Sequence, residues 1–194
     1  MKRKEKFKKL LFVALLFLLP LISMSSKTVN TNRSIPMEIV TRNSPHSIKI
    51  EKELKAEVKN YIHQIYPNCP DEIPNKLVEI GLFEDIDICF MMAQAQIETH
   101  FGKLGKGRAI SRHSLFGVEF KRYKSYTESI IEYARLLKKS YLVNGKTEQS
   151  LMRRYVNKSG NRYAANPRYE AEITRVYKEI LSKTTISQLQ QQYR

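Results

Sequence analysis

The sequence predicts an all-α, mainly helical domain with at most a very small β element. Three observations lead there. Apolar residues recur at intervals of three and four from Ile50 to Ile180. Residues that cap helices precede several of those runs. Only Leu115–Phe120 looks like a short strand. The chain has 194 residues, 42% hydrophobic and 27% charged, which suits a folded domain with an appendage rather than a disordered polymer. Two Cys exclude a disulfide-dense scaffold and a Cys-rich zinc module.

Leu54, Val58, Tyr61, Ile62 and Ile65 fall on one face of a first helix, which Pro67 and Pro70 stop. Pro74 sits in the first turn of a second, with Leu77 and Ile80 inward. Asp85 or Asp87 caps a third, running to about Phe101. Its segment ICFMMAQAQIETHF is apolar on most sides, the mark of a helix buried at the centre of a domain. Gly102 stands where helices end in left-handed geometry. Residues 103–114 read as a basic loop. Ser125-Tyr126-Thr127-Glu128 is a capping box ahead of a helix with Ile130, Ile131, Ala134, Leu137 and Tyr141 inward. Asn144-Gly145 is a turn, and Leu151, Met152, Tyr155 and Val156 mark a further helix. Asn166 caps the last one with Pro167 at its first position, and Ile173, Val176, Tyr177 and Ile180 face inward.

Charge is uneven along the chain. The net charge is +15, and six of the 34 Lys and Arg lie within the first nine residues, beside one acid. Leu10–Ile22 follows without a charge, then the small residues Ser23, Ser25 and Ser26. This is the layout of a secretory signal, so residues 1–25 read as a signal peptide and the protein as exported. Thirteen apolar residues fall short of the ~20 a spanning helix needs, and an uncleaved anchor is the alternative reading. The membrane is then met only through this segment. Export argues against a nucleic-acid partner, although the basic charge favours polyanions in general. Residues 26–48 read as a flexible linker, 49–183 as the domain, and 184–194 as a loose polar tail.

Glu98 is the most telling residue. It lies in the last turn of the most apolar helix, where burial and the negative helix end both disfavour its carboxylate. A carboxylic acid kept protonated near neutral pH is what a general acid requires. His46, His63, His100 and His113 are scattered, so no metal site and no cofactor is expected. Cys69 and Cys89 are open to either state, bridged or free.

Four blocks carry a family resemblance. Ala93-Gln94-Ala95-Gln96-Ile97-Glu98-Thr99-His100-Phe101-Gly102 resembles the A-Q-A-x-x-E-S-x-x-G helix of bacterial glucosaminidases. These are peptidoglycan hydrolases of glycoside hydrolase family seventy-three, with a lysozyme-like fold. Ser114-Leu115-Phe116-Gly117-Val118 resembles their N-L-F-G-I segment. Phe120–Tyr133 resembles the F-x-x-Y-x-S-x-x-E-S segment and its helix. Tyr163–Tyr169 resembles the Y-A-T-D-P-x-Y block. The resemblance implies an endo-β-N-acetylglucosaminidase that cuts the β-1,4 bond of peptidoglycan glycan strands. Glu98 takes the place of the catalytic acid and Tyr163 that of the active-site tyrosine. Phe116 takes the place of a cleft aromatic that packs on a sugar face, and Ser114 and Gln94 join the substrate-binding set.

Other residues of these blocks have blander readings. Tyr169 reads as core from its spacing to Ile173 and Tyr177, and Glu128 as the capping acid. The family's β-hairpin lobe, with its second acid, is reduced to Glu119 between Val118 and Phe120. A two-carboxylate glycosidase needs its pair about 5–9.5 Å apart. Glu119 is the possible second carboxylate. Without it, the substrate acetamido group or Glu98 alone must serve, as in a muramidase or lytic transglycosylase, or the domain binds wall without turnover. Lys103, Lys106, Arg108 and Arg112 could meet acidic groups of the wall polymer, or form a solvated loop.

Overall fold

The computed structural model describes residues 44–104, 113–117 and 122–194. The signal segment, most of the linker, Glu119, Lys106, Arg108 and Arg112 lie outside the described residues. Helix α1, Pro45–Ile65, starts earlier than the apolar period suggests. The Ser44 hydroxyl accepts from the Ser47 amide at 3.0 Å and Pro45 takes the first position, so the linker reading does not extend to residue 48. Helix α2, Glu72–Phe83, carries Pro74 in its first turn as expected.

Helix α3, Ile88–Thr99, is capped by Asp87, whose Oδ1 accepts from the Phe90 amide at 3.2 Å. Asp85 instead adopts a left-handed conformation. Every residue of α3 from Ile88 to Ala95 is buried. The helix stops through three consecutive residues at positive φ: His100, Phe101 and Gly102. Helix α4, Tyr126–Leu136, begins at Ser125, whose hydroxyl accepts from the Glu128 amide at 3.1 Å. The Glu128 carboxylate reaches back to the Lys124 amide, close to the expected capping box. A π-helical turn, Leu137–Tyr141, continues α4. Asn144 and Gly145, both at positive φ, turn the chain, with the Lys146 amide bonded to the Val143 carbonyl at 3.2 Å.

Helix α5, Glu148–Arg153, ends before Tyr155 and Val156, which were expected inside it. Val156 pairs with Arg162 in an isolated antiparallel bridge, and the Tyr163 amide donates to the Tyr155 carbonyl at 2.9 Å. The cause is the intervening Asn157-Lys158-Ser159-Gly160. Asn157 Oδ1 accepts from the Ser159 and Asn161 amides, and Gly160 takes φ +83°. That turn chemistry closes a small hairpin and outcompetes helix continuation. Leu115–Gly117 forms a bend rather than a strand, and no named strand occurs among the described residues.

Helix α6, Tyr169–Lys183, begins later than Asn166-Pro167 suggests. Asn166 Oδ1 accepts from the Arg168 amide at 2.9 Å, which makes a turn of the proposed cap. The loose tail is also corrected. Residues Ile186–Tyr193 form helix α7, with Ile186 and Gln190 buried and Leu189 and Tyr193 packed on the core. Four inward positions spaced as a helix repeats them suffice, although one is a glutamine.

Helix α3 is central and packs against α2, α6 and α7, while α1 packs on α2 and α7. Gln190 of α7 clamps the start of α3. Its Oε1 accepts from the Ile88 amide at 3.0 Å and its Nε2 donates to the Ile86 carbonyl at 2.8 Å. Two backbone groups with no partner of their own at a buried helix start are thereby satisfied. Cys69 and Cys89 are both buried and both free. Burial raises the Cys69 thiol to about 12. Replacing Gln190 by Ala leaves a buried amide and carbonyl unpaired. Urea unfolding will read a loss of about 2 kcal/mol, with the helical signal of the native state retained.

Candidate active site

Glu98 occupies the last turn of α3, where the helix reaches a cleft of about 400 Å³. Leu136, Ser140 and Tyr141 form one side of the cleft, Asn157, Tyr163 and Ala164 another, and Gly117 meets Glu98. Hydroxyl, amide and aromatic groups beside apolar patches suit a ligand with both polar groups and C–H faces. Glu98 is the one carboxylate among the described residues lining this cleft. It is half-buried, and burial pushes its carboxyl above the usual carboxylate range. A hydrogen bond from the Tyr169 hydroxyl to Oε1, 2.7 Å long, pulls the other way.

The end of α3 and the bend at Leu115–Gly117 are held together by Thr99. Its hydroxyl donates to the Leu115 carbonyl at 2.8 Å and accepts from the Gly102 amide at 2.9 Å. The bend thereby lies against Glu98, and Gly117 is needed there. It has φ +64°, and a Cβ on it would stand 2.6 Å from Glu98 Oε2. Tyr163, on the hairpin after Asn161, donates its hydroxyl to the Phe116 carbonyl at 2.8 Å. One bond thus ties the hairpin wall to the bend wall. Behind it the rings form a layer. Tyr163 stacks on Tyr155 at 4.6 Å, and Tyr169 lies 5.6 Å from Tyr163. Such contacts each add about 1 kcal/mol beyond burial.

The structure brings Glu98 and Tyr163 to one cleft, as their sequence positions suggest. Phe116 is corrected. Its ring is 2% exposed and stacks on Tyr133 at 3.7 Å, so it offers no face to a sugar. Gln94 is fully buried and also lies below the cleft. Its Oε1 accepts from the hydroxyls of Tyr133 and, at 2.7 Å, Tyr155, which holds the aromatic layer together. Ser114 is buried ahead of the bend and does not line the cleft. Lys103 donates to the Ile65 carbonyl at 3.0 Å. Tyr169 is the residue that sequence reading missed. Its ring belongs to the core, as its helical spacing says, while its hydroxyl reaches Glu98. The sole sequence signal was its placement at the end of the Tyr163–Tyr169 block.

A carboxyl raised by folding binds protons more readily in the folded than in the unfolded chain. Its contribution to stability is complete below the unfolded value and is lost as pH rises through the folded one. Glu98→Gln removes that titration and keeps an acceptor for Tyr169. Thermal melts will show the variant near wild type below about pH 4 and more stable than wild type at pH 7.

The glucosaminidase family model, described as mannosyl-glycoprotein endo-beta-N-acetylglucosaminidase, matches residues 76–182. Neither a curated protein nor a solved structure matches the chain. The matched span holds α3 with Glu98, the Leu115–Gly117 bend, the hairpin with Tyr163 and nearly all of α6. Mainly helical architecture, a cleft at the end of a buried helix and a match over more than half its length make this chain a member of the glucosaminidase family, glycoside hydrolases of lysozyme-like fold that act on peptidoglycan.

Proposed function

We propose that this glycoside hydrolase is an exported endo-β-N-acetylglucosaminidase in which Glu98 is the general acid. The observation that carries the reading is the position of Glu98. Among the described residues it is the carboxyl that lines the cleft, burial holds it toward the protonated form, and one of its oxygens lies against Gly117, where a side chain would collide with it. Protonated Glu98 donates to the glycosidic oxygen, which then leaves as an alcohol. Tyr163 has committed its own proton to the Phe116 carbonyl, so its oxygen accepts from the substrate acetamido N–H or from the attacking water. Ser140 and Asn157 bind sugar hydroxyls along the cleft. Export rests on the basic start and the apolar Leu10–Ile22 segment.

Purified peptidoglycan, digested with the protein and analysed by mass spectrometry, tests the reading. Wild type will release fragments with reducing N-acetylglucosamine ends, and Glu98→Gln will lower turnover by about 10³-fold. Reducing or anhydro N-acetylmuramic acid ends would make it a muramidase or transglycosylase instead. The kcat of the wild type will fall on the alkaline side as Glu98 loses its proton, at a pH above that of an exposed Glu. Gly117→Ala pushes the Glu98 carboxyl from its place and will reduce turnover by about 10²-fold, with the fold kept by circular dichroism. N-terminal sequencing of the mature protein from culture fractions will start near Ser26 if the segment is cleaved.

A further inference from the structure

The two oxygens of Glu98 meet different surroundings. Oε1 accepts from the Tyr169 hydroxyl at 2.7 Å. Oε2 lies against Gly117, and Glu98 and Gly117 both line the cleft. Tyr169 is 4% exposed, and its hydroxyl takes Glu98 Oε1 as its acceptor. A proton on Oε1 would turn two O–H groups toward one another, or leave a buried donor unmatched. We propose that Tyr169 is a positioning residue that assigns the transferable proton of the acid to Oε2 of Glu98 and then steadies the carboxylate left behind. The proposal rests on Glu98 being the acid.

The step balances as follows. The proton on Oε2 passes to the glycosidic oxygen. The bond from that oxygen to the anomeric carbon breaks, and its electron pair stays on the oxygen, which leaves as an alcohol. Water bonds to the anomeric carbon through its oxygen, and the proton it sheds restores the carboxyl. Tyr169 neither gives nor takes a proton. Burial and the neighbouring Glu98 hold its phenol far above the ordinary tyrosine value. Its bond to Oε1 becomes charge-assisted, and therefore stronger, once Glu98 is ionised.

Among the described residues, the titratable groups around Glu98 are phenols. Tyr169 comes from α6, Tyr155 and Tyr163 from the hairpin, and Tyr141 from the π-helical turn. The Leu115–Gly117 bend adds none, and Gln94 on α3 does not titrate. Burial raises all four phenols. Among the described residues of the cleft, Glu98 therefore titrates alone between about pH 3 and pH 9. A change in the strength of the Tyr169 bond is read directly in that titration.

The test uses the full chain with Tyr169→Phe and, separately, 3-fluorotyrosine at position 169. Phenylalanine removes the donor and keeps the ring. Fluorotyrosine keeps the hydroxyl and makes it a stronger donor. The first readout is the carbon-13 titration of the Glu98 side-chain carboxyl, assigned by its loss in Glu98→Gln. The second is kcat against pH on peptidoglycan fragments. Tyr169→Phe will move the carboxyl titration up by about one pH unit, and fluorotyrosine will move it down. The alkaline limb of kcat will follow both. With the proton shared between two oxygens, the acid plateau of kcat in Tyr169→Phe will fall about two-fold or more with KM unchanged. Shifts of one sign in both variants, or none, overturn the proposal. A carboxyl titration that moves while the alkaline limb stays in place would mean that Glu98 is not the acid, and both readings would fall. If the phenylalanine variant does not fold, the sign given by fluorotyrosine decides.

Discussion

A carboxyl group set at the end of a helix whose first eight residues are all buried is the constraint around which this domain is arranged. Left in such a place without support, a carboxylate would be costly and its side chain free to turn away. Each neighbour answers part of that difficulty. Thr99 bonds the helix end to the bend at Leu115, so the bend sits beside Glu98. Gly117 gives up a side chain so that the carboxyl can lie against the backbone. Tyr169 occupies one oxygen from below. The cleft is the space these arrangements leave on the other side.

The aromatic layer beneath the cleft explains why Phe116 and Gln94, read from the sequence as substrate-binding, lie away from the cleft. Phe116, Tyr133, Tyr155, Tyr163 and Tyr169 pack against one another, with Gln94 joining two of the hydroxyls. Tyr163 alone among these rings also reaches the cleft. The Tyr163 bond to the Phe116 carbonyl means that the position of the hairpin wall depends on the bend, and the bend depends on Thr99. The geometry around Glu98 is thus fixed by contacts behind the cleft.

Much of the fold was legible because helices announce themselves by period and cap. The Ile50-to-Ile62 face, the Asp87 and Ser125 caps and the mostly apolar α3 are where their residues place them. The misreadings share a cause: short polar residues that serve the backbone. Ser44 capped a helix where a linker was read, Asn157 and Gly160 closed a hairpin where a helix was read, and Asn166 made a turn where a cap was read. Gln190 was counted as tail because a glutamine adds nothing to an apolar pattern, yet its amide matches one donor and one acceptor of a helix start. At the site, Glu98 and Tyr163 were legible from motif. The roles of Phe116, Gln94 and Tyr169 depend on which way each ring or amide faces, and spacing along the chain does not carry that.

The Gln190 clamp joins residues 102 apart in sequence. Closing a loop of that length costs entropy, which the contacts it brings together must offset. The start of the most apolar helix therefore owes two hydrogen bonds to a residue about a hundred positions away. The cleft walls and Glu98 lie between residues 98 and 164, while the side chain that completes the start of α3 comes from α7. The helix that carries Glu98 is thus anchored at its far end by a segment that lines no part of the cleft, so the order of the cleft leans on a remote stretch of chain.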